Sequence, residues 1–169
     1  MKTAPTTLDE APRTAPDGSI VQGLPKPVGE RIGYLLARTH RKIQARAEEA
    51  LEPLGLGQGV VDCSPRHVGC LLVIAEYGPL SQQALGEMIK VDRTTIVAVV
   101  DWLESEGFVE RRRNPDDRRA YALQITPAGR RWLPRADRAL RSAEKDFLKP
   151  LSAAEREELK SLLQRLATA

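Results

Sequence analysis

Residues 79–129 constrain the fold of this chain more than any other stretch. Ser81 and Asp92 each precede a helical apolar pattern, and both residue types are preferred N-caps because their side-chain oxygens accept hydrogen bonds from free backbone N–H groups. The apolar positions are Leu85, Met88 and Ile89 in the first pattern and Ile96, Val99, Val100 and Leu103 in the second. Gly107 then suits the C′ position that ends a helix. Two capped helices joined by a few residues predict a helix-turn-helix.

The residues after Gly107 predict a β-hairpin with a basic tip. FVERRR and AYALQIT have strand character, and the NPDDRR between them is rich in turn-forming and charged residues. A helix-turn-helix followed by such a hairpin is a winged helix. The net charge is only +3, with a pI near 9.0, but five arginines fall within residues 111–119. This placement of charge predicts nucleic-acid binding at one end of the molecule.

The ordered motifs D-R-T-T, E-G-F-V-E-R-R-R, N-P-D-D-R-R and L-Q-I-T-P-A-G resemble those of the MarR family of transcriptional regulators. The resemblance extends from about residue 29 to the C-terminus. Its most specific part is Asp117-Arg118-Arg119 followed by Thr126 and Gly129 in a T-x-x-G pattern. It implies a homodimer that senses a small molecule, often a phenolic or other aromatic acid. We expect a repressor rather than an activator, because a protein can repress a gene by occupying its promoter and needs no further binding surface to do so.

We expect a mainly α-helical fold with a small β-wing, divided into four parts. Residues 1–27 contain five prolines and predict a mobile tail, or an arm that packs on a partner or follows DNA. Residues 28–63 predict a first dimerisation helix and a long loop, 52–63, which is either a tolerated surface loop or a pocket lid. Residues 64–126 form the predicted winged helix-turn-helix domain, and residues 127–169 the C-terminal dimerisation helices.

Capping residues also predict the other helix boundaries. Ser64-Pro65 begins a core helix, Thr126-Pro127 begins a long helix with a kink at Pro134, and Ser152 with Glu155 forms a capping box for the last helix. The apolar positions predicted for the Ser64 helix are Val68, Leu71, Leu72 and Ala75.

The first helix and the last two have more apolar surface than a winged helix of about 100 residues covers. Their apolar positions are Ile32, Leu35, Leu36, Thr39, Ile43, Ala47 and Leu51, then Leu133, Ala136, Leu140, Ala143 and Phe147, and finally Leu159, Leu162, Leu163 and Leu166. A second copy of the chain can cover this apolar surface, and we therefore expect a homodimer. Such a dimer would bind a short imperfect palindrome in double-stranded DNA, with half-sites about 10 bp, or roughly 34 Å, apart.

We call the helix after Ser81 the supporting helix and the helix after Asp92 the recognition helix. The predicted DNA-binding residues are Ser81, Gln82 and Gln83 on the supporting helix, Arg93, Thr94, Thr95, Val97 and Ala98 on the recognition helix, and Arg111, Arg113, Asp117, Arg118 and Arg119 in the wing. The first three suit a phosphate at a helix N-terminus. For Thr94 and Thr95 the alternative is that they only cap the recognition helix and do not contact DNA. Val97 and Ala98 stand where the family often has a polar residue and an arginine, and they could touch a thymine methyl group. The resemblance implies wing arginines in the minor groove; the alternative is a solvated turn.

The resemblance also implies an effector cleft bounded by the first helix, the Ser64 helix and the Thr126 helix. Candidate effector residues there are Arg38, His40, Arg66, His67 and Cys70, whose cationic or titratable members could meet a carboxylate. The alternative is that each is an ordinary surface or hydrogen-bonded residue.

The two cysteines do not make a disulfide framework for a chain of this length. Cys63, His67 and Cys70 repeat at i, i+4 and i+7, which leaves zinc binding and thiol-redox sensing as alternatives to structural cysteines. The resemblance implies that a peroxide sensor would have a cysteine near the start of the first helix, and none is there.

Other classes of function are disfavoured. The sequence has no nucleophile motif, phosphate loop or catalytic carboxylate–histidine spacing, so we expect neither an enzyme nor a cofactor. No apolar run approaches membrane-spanning length, which predicts a cytoplasmic protein without a membrane partner. A winged helix used for nonspecific nucleic-acid binding or for protein contact is the remaining alternative.

Overall fold

A computed structural model of the chain describes residues 26–54, 63–113 and 121–168. The elements in order are α1 (Lys26–Gly29), α2 (Ile32–Leu51), a 3₁₀ turn (Glu52–Leu54), α3 (Pro65–Tyr77), β1 (Leu80–Ser81), α4 (Gln82–Ile89), α5 (Arg93–Ser105), β2 (Val109–Arg113), β3 (Tyr121–Ile125), α6 (Pro127–Phe147) and α7 (Ala153–Thr168). The mainly helical fold with a small antiparallel sheet is confirmed. None of the helices in these ranges is long and apolar enough to cross a membrane.

The chain divides into two compact units, residues 1–42 and 43–169. The predicted first helix begins at Ile32 rather than near residue 28. A separate short helix, α1, which the sequence did not predict, precedes it and ends at Gly29, a residue type with low helix propensity. Ile32, Leu35 and Leu36 of the apolar stripe of α2 are exposed in the single chain. Most of the predicted tail and of the 52–63 loop lies outside the described residues.

The core of the second unit lies around α3, which packs against α4, α5, α6 and β3. Val68 and Leu71 are buried as predicted, but Leu72 is 41% exposed, and so its assignment to the core is wrong. The buried face of α3 instead follows His67, Cys70, Leu71 and Ile74, the spacing of one helical face, and Leu72 lies about 100° away from Leu71.

The helix-turn-helix has the predicted boundaries and nearly the predicted core. Ile96, Val99, Val100 and Leu103 of α5 are buried, as is Leu85 of α4. Met88 is 49% exposed, so its assignment to the core is wrong; α4 has only eight residues, and its buried face is filled by Leu85 and the half-buried Ile89.

The predicted caps are confirmed by hydrogen bonds. Ser81 Oγ accepts from Ala84 N (3.1 Å). At α7, Ser152 N donates to a Glu155 carboxylate oxygen (2.7 Å) and Ser152 Oγ accepts from Glu155 N (3.3 Å), which is a complete capping box. These bonds satisfy backbone groups that a helix end leaves without partners.

His67 caps the start of α3. Ser64 N donates to His67 Nδ1 (3.0 Å), and the Ser64 hydroxyl lies 2.9 Å from the same nitrogen. The ring lies 4.4 Å from that of Trp102, centroid to centroid, and the residue is buried. Burial lowers the pKa of His67, and the charge of Arg66 lowers it further, against a backbone hydrogen bond at Ser64 that raises it. A neutral ring with an unprotonated Nδ1 is what the cap requires.

The wing is a three-stranded antiparallel sheet in the order β1-β3-β2. Val109 pairs with Ile125, Arg111 with Leu123, and Arg113 with Tyr121. Residues 114–120, which contain the predicted hairpin tip, lie outside the described residues.

Thr126 joins α5, the wing and α6 at one point. Its N–H donates to Phe108 O (2.9 Å), and its hydroxyl donates to Gly107 O (2.6 Å) and accepts from Gly129 N (3.1 Å). Gly107 has φ +71°, the left-handed conformation predicted for a C′ glycine. A Cβ added to Gly129 would lie 2.4 Å from Phe108 O. The T-x-x-G pattern therefore marks a cap and a close backbone approach.

Replacing Gly129 with Ala is expected to lower the free energy of unfolding by about 1–3 kcal/mol, because backbone must move to admit the methyl group. Urea denaturation followed by circular dichroism measures this. The control is Gly69→Ala in α3, where a Cβ would meet nothing within 4 Å; there a gain of up to about 1 kcal/mol is expected. Equal stability for Gly129→Ala and the wild type would contradict the close approach.

Lowering the pH from 7.5 to 5.5 is expected to destabilise the protein through His67. The folded-state pKa is lowered, so below about 6.5 the unfolded chain takes up a proton that the folded chain does not, and the free energy of unfolding falls by at most about 1.4 kcal/mol per pH unit. Denaturation of His67→Gln, which retains a capping acceptor without titrating, should show a weaker pH dependence. His40→Asn, at an exposed position, should behave like the wild type.

Candidate nucleic-acid interface

The turn between α4 and α5 brings the two helices together tightly. Lys90 adopts the left-handed conformation (φ 53°, ψ 49°), and Val91 N donates to Gly86 O (3.1 Å). A Cβ on Gly86 would lie 3.3 Å from both Val91 O and an Ile96 side-chain carbon. A small residue at position 86 therefore lets α5 cross close to α4.

The exposed face of α5 carries most of the residues predicted to contact bases. Arg93, Thr94, Val97 and Ala98 are exposed, and they lie opposite the buried face of the helix. Thr95 is half-buried, and its hydroxyl donates to Asp92 (2.6 Å) while its N–H donates to the other carboxylate oxygen (3.0 Å). These two hydrogen bonds lower the pKa of Asp92. In the free protein, the Thr95 side chain therefore takes part in the Asp92 cap, which is the alternative to a base contact.

A groove of about 590 Å³ lies between α4 and α5. Its lining is Gln82, Gln83, Gly86, Glu87, Lys90, Val91, Arg93, Ile96 and Val97. It therefore brings two of the predicted phosphate contacts beside two of the predicted base contacts. Gln83 is exposed and donates to Glu87 (2.9 Å), whereas Ser81 and Gln82 are half-buried.

The predictions from sequence did not include Lys90. It is an exposed cation that lines this groove, in the turn between the two helices that carry the predicted contacts. A basic residue in the short turn was the available signal, but it stands in a break of the helical pattern, where no face can be assigned from spacing.

The three consecutive arginines of β2 have different surroundings. Arg111 pairs with both Asp101 and Glu104 of α5. Burial alone would lower the pKa of Arg111, but these two carboxylates raise it. Arg112 pairs with Glu110 (2.7 Å). Arg113 is exposed and forms no ion pair within the described residues, so it is available to a phosphate.

Arg113 lies opposite Tyr121 at the end of the described hairpin. Both side chains are exposed, and Tyr121 is another polar group near the wing tip that the predictions from sequence missed. Asp117, Arg118 and Arg119 lie outside the described residues.

The candidate effector residues differ in their burial. Arg66 and His40 are exposed and Arg38 is half-buried, but His67 and Cys70 are buried in the core. His67 Nδ1 accepts a hydrogen bond from Ser64 N at the start of α3, and burial lowers the pKa of His67, so that both the contact and the burial favour a neutral ring over a cation. The alternative of a hydrogen-bonded structural histidine accounts for it.

Both thiols are protected from ionisation. Burial, with the charge of Glu106, raises the pKa of Cys63 to about 12, and burial raises the pKa of Cys70 to about 11. Cys63 lies before the start of α3, so the three residues do not share one helical face. Within the described residues, no group of three His, Cys, Asp or Glu side chains is arranged to hold a metal ion.

A row of aromatic rings connects α3, α5 and α6. Ring centroids are 4.4 Å apart for His67 and Trp102, 6.3 Å for Trp102 and Phe108, and 4.6 Å for Phe108 and Trp132. The sequence did not predict this row, because its members come from separate elements. It holds the helix that carries the candidate DNA contacts to α6.

Comparison with known proteins agrees with this architecture. The family model described as "MarR family" matches residues 64–121. A putative transcriptional regulatory protein for the hcr operon of Thauera aromatica is 45% identical over 103 residues, which are 61% of this chain and 62% of that protein.

Three solved structures are similar over most of the described fold. A probable transcriptional regulator from Pseudomonas aeruginosa is 32% identical, with a TM-score of 0.72, and the match covers 81% of this chain and 97% of that one. The repressor CouR, bound to a 23-mer DNA duplex, is 26% identical with a TM-score of 0.75 over 84% and 96% of the two chains. A MarR family protein of Mycobacterium tuberculosis in complex with p-aminosalicylic acid is 27% identical with a TM-score of 0.62 over 81% and 98%.

The names of these relatives describe transcriptional regulators or repressors, and the solved structures share the fold of this chain over more than four fifths of its length. The protein belongs to the MarR family of transcriptional regulators.

Proposed function

We propose that this protein is a sequence-specific repressor that binds a pseudo-palindromic operator as a homodimer and leaves it when a small, aromatic or phenolic ligand binds. The observation that carries the proposal is the single exposed face of α5, with Arg93, Thr94, Val97 and Ala98, beside a groove lined by polar groups of α4. The DNA-bound structure of CouR supports the choice of duplex DNA as partner.

Contacts to the operator divide into phosphate and base contacts. Ser81, Gln82, Gln83 and Lys90 are assigned to phosphates, because they lie at the N-terminus and the C-terminal turn of α4. Arg113 is assigned to a phosphate beside the wing. Such contacts fix the position of the protein on the duplex and provide salt-dependent affinity.

Base recognition is assigned mainly to α5. Arg93 and Thr94 can donate to or accept from base edges in the major groove, whereas Val97 and Ala98 can contact only thymine methyl groups. Arg118 and Arg119 are assigned to the minor groove, where narrow A·T tracts attract arginine. We therefore expect an operator with A·T pairs opposite α5 and under the wing.

The homodimer is proposed from apolar side chains that the single chain leaves exposed. Leu162, Leu163 and Leu166 of α7 are between 43% and 66% exposed, and no residue of α7 is buried within the described chain. Contiguous exposed leucines are typical of protein interfaces. A two-fold axis through such an interface places two α5 helices on one face of DNA.

Ligand release is proposed from the family and from the p-aminosalicylic acid complex of the mycobacterial relative. Arg38 and His40 in the first unit, and separately Arg66 in the second, each remain a candidate for a carboxylate contact because none of them is buried. Thiol-redox control is not favoured, since thiols with a pKa of about 11–12 are almost entirely protonated at neutral pH. The two alternatives differ in whether peroxide or an aromatic acid abolishes DNA binding.

A DNase footprint on the DNA flanking the protein's own gene, at fixed salt and with random competitor, tests the function. We expect a protected palindrome with half-sites about 10 bp apart, and loss of protection in the presence of an effector from a set of aromatic carboxylic acids. Uniform, competitor-sensitive coverage would instead identify a nonspecific binder, and no coverage would favour a protein partner.

Replacing Arg118 and Arg119 together with Ala is expected to weaken operator binding about tenfold or more. The slope of log affinity against log salt should fall by about 0.9 for each phosphate charge that is no longer neutralised. Fluorescence anisotropy at several salt concentrations measures both quantities. The matched control is Arg138→Ala with Arg141→Ala, which removes the same charge from exposed positions of α6. Unchanged affinity of the wing variant would refute the minor-groove assignment.

A further inference from the structure

We propose that Arg111 is a positioning residue that holds the wing against α5 and does not contact DNA, although it begins the arginine run of β2. The inference rests on the proposed function, because the role that it assigns is a role in operator binding. It separates Arg111 from Arg113, with which the sequence pattern had grouped it.

Two carboxylates of α5 enclose the Arg111 side chain. One terminal nitrogen of the guanidinium binds Asp101 and the other binds Glu104, and the Arg111 backbone N–H donates to the second oxygen of Glu104 (3.3 Å). Asp101 and Glu104 are three residues apart and hence lie one above the other on the helix. The contact therefore fixes both the side chain and the backbone of β2 relative to α5.

The strand register aims Arg111 at the helix. Side chains alternate along β2, so Arg111 shares its face with Val109, which is buried, and it pairs with buried Leu123. Arg112 lies on the opposite face with Glu110, its ion-pair partner. The Arg111 side chain is 24% exposed, against 63% for Arg112. Arg113, two residues after Arg111, lies on the same face of the strand as Arg111, and there it is exposed.

The electrostatics of the cluster oppose a phosphate contact. One guanidinium facing two carboxylates gives a cluster with one net negative charge, which repels a DNA backbone. A phosphate would have to replace two charge-assisted hydrogen bonds to bind this guanidinium, and such bonds are about twice as strong as neutral ones. Arg113 has no competing ion pair within the described residues, so it binds a phosphate without that loss.

Freeing Arg111 distinguishes the two roles by the sign of the effect. In the Asp101→Asn, Glu104→Gln double variant, the arginine stays and two negative charges near the DNA are removed. A phosphate-binding Arg111 would then bind the operator more tightly. A positioning Arg111 loses its anchor, and we expect roughly tenfold weaker operator binding, within the range of coupling between contacting residues.

Two replacements of Arg111 itself add independent readouts. Arg111→Ala is expected to weaken operator binding with little change in salt slope, whereas Arg113→Ala should lower the slope by about 1.8 for the two subunits. Arg111→Lys retains a charge that suffices for a phosphate but cannot bridge two carboxylates with a planar fork. It should therefore bind the operator as weakly as Arg111→Ala.

Random-sequence DNA provides the readout that partial unfolding would not reproduce. In Arg111→Lys, which keeps the net charge, displacing the wing should reduce the ratio of operator affinity to random-DNA affinity, with random-DNA affinity changing less than about twofold, because nonspecific binding depends on charge. A variant that is merely partly unfolded would lose both affinities equally. Arg141→Ala, which breaks the exposed Arg141–Asp137 pair (2.7 Å), is the control for removing an arginine–carboxylate pair.

The outcomes are separable from those of the proposed function. If the wild type protects no operator, the proposed function fails. If it protects one, then tighter binding by the Asp101→Asn, Glu104→Gln variant, retained affinity in Arg111→Lys, or a decrease in salt slope for Arg111→Ala equal to that for Arg113→Ala overturns the positioning role.

Discussion

The hydrogen bonds of Thr126 hold together the elements that carry the candidate DNA contacts. One side chain and its backbone N–H reach the end of α5, the start of β2 and the first turn of α6. Gly129 allows α6 to approach Phe108 O more closely than any residue with a side chain would. Because three elements meet through one residue, the orientation of α5 depends on where α6 begins.

Charge alone does not show which arginines are free to meet a phosphate. Three consecutive arginines have three different environments: Arg111 is enclosed by two carboxylates of α5, Arg112 is paired on the opposite face of the sheet, and Arg113 is exposed. The alternation of side chains along a strand separates Arg111 from Arg112, and one further step along the same face separates Arg111 from Arg113. An arginine that neutralises carboxylates contributes to structure, and a neighbour without such partners in the described chain remains available to phosphate.

Burial similarly decides the chemistry of the cysteines and of His67. A thiol senses oxidants as a thiolate, and desolvation disfavours the charged form, which raises the pKa of both Cys63 and Cys70. The same physical cause lowers the pKa of His67 and suits its neutral ring to capping α3. Three residues that looked like a metal or redox motif in the sequence thus belong to the core.

Local structure could be read from the residue pattern alone: the caps at Ser81, Asp92, Thr126 and Ser152, the left-handed Gly107, and the order of helices and wing strands. These features depend on interactions between residues a few positions apart, which a sequence pattern displays directly. Packing between elements determines that Arg111 meets Asp101 and Glu104, that Leu72 and Met88 face outward, and that the His67 ring lies against the Trp102 ring. Those outcomes depend on which faces of separate elements come together, and helical spacing does not distinguish a face covered by the same chain from one left exposed.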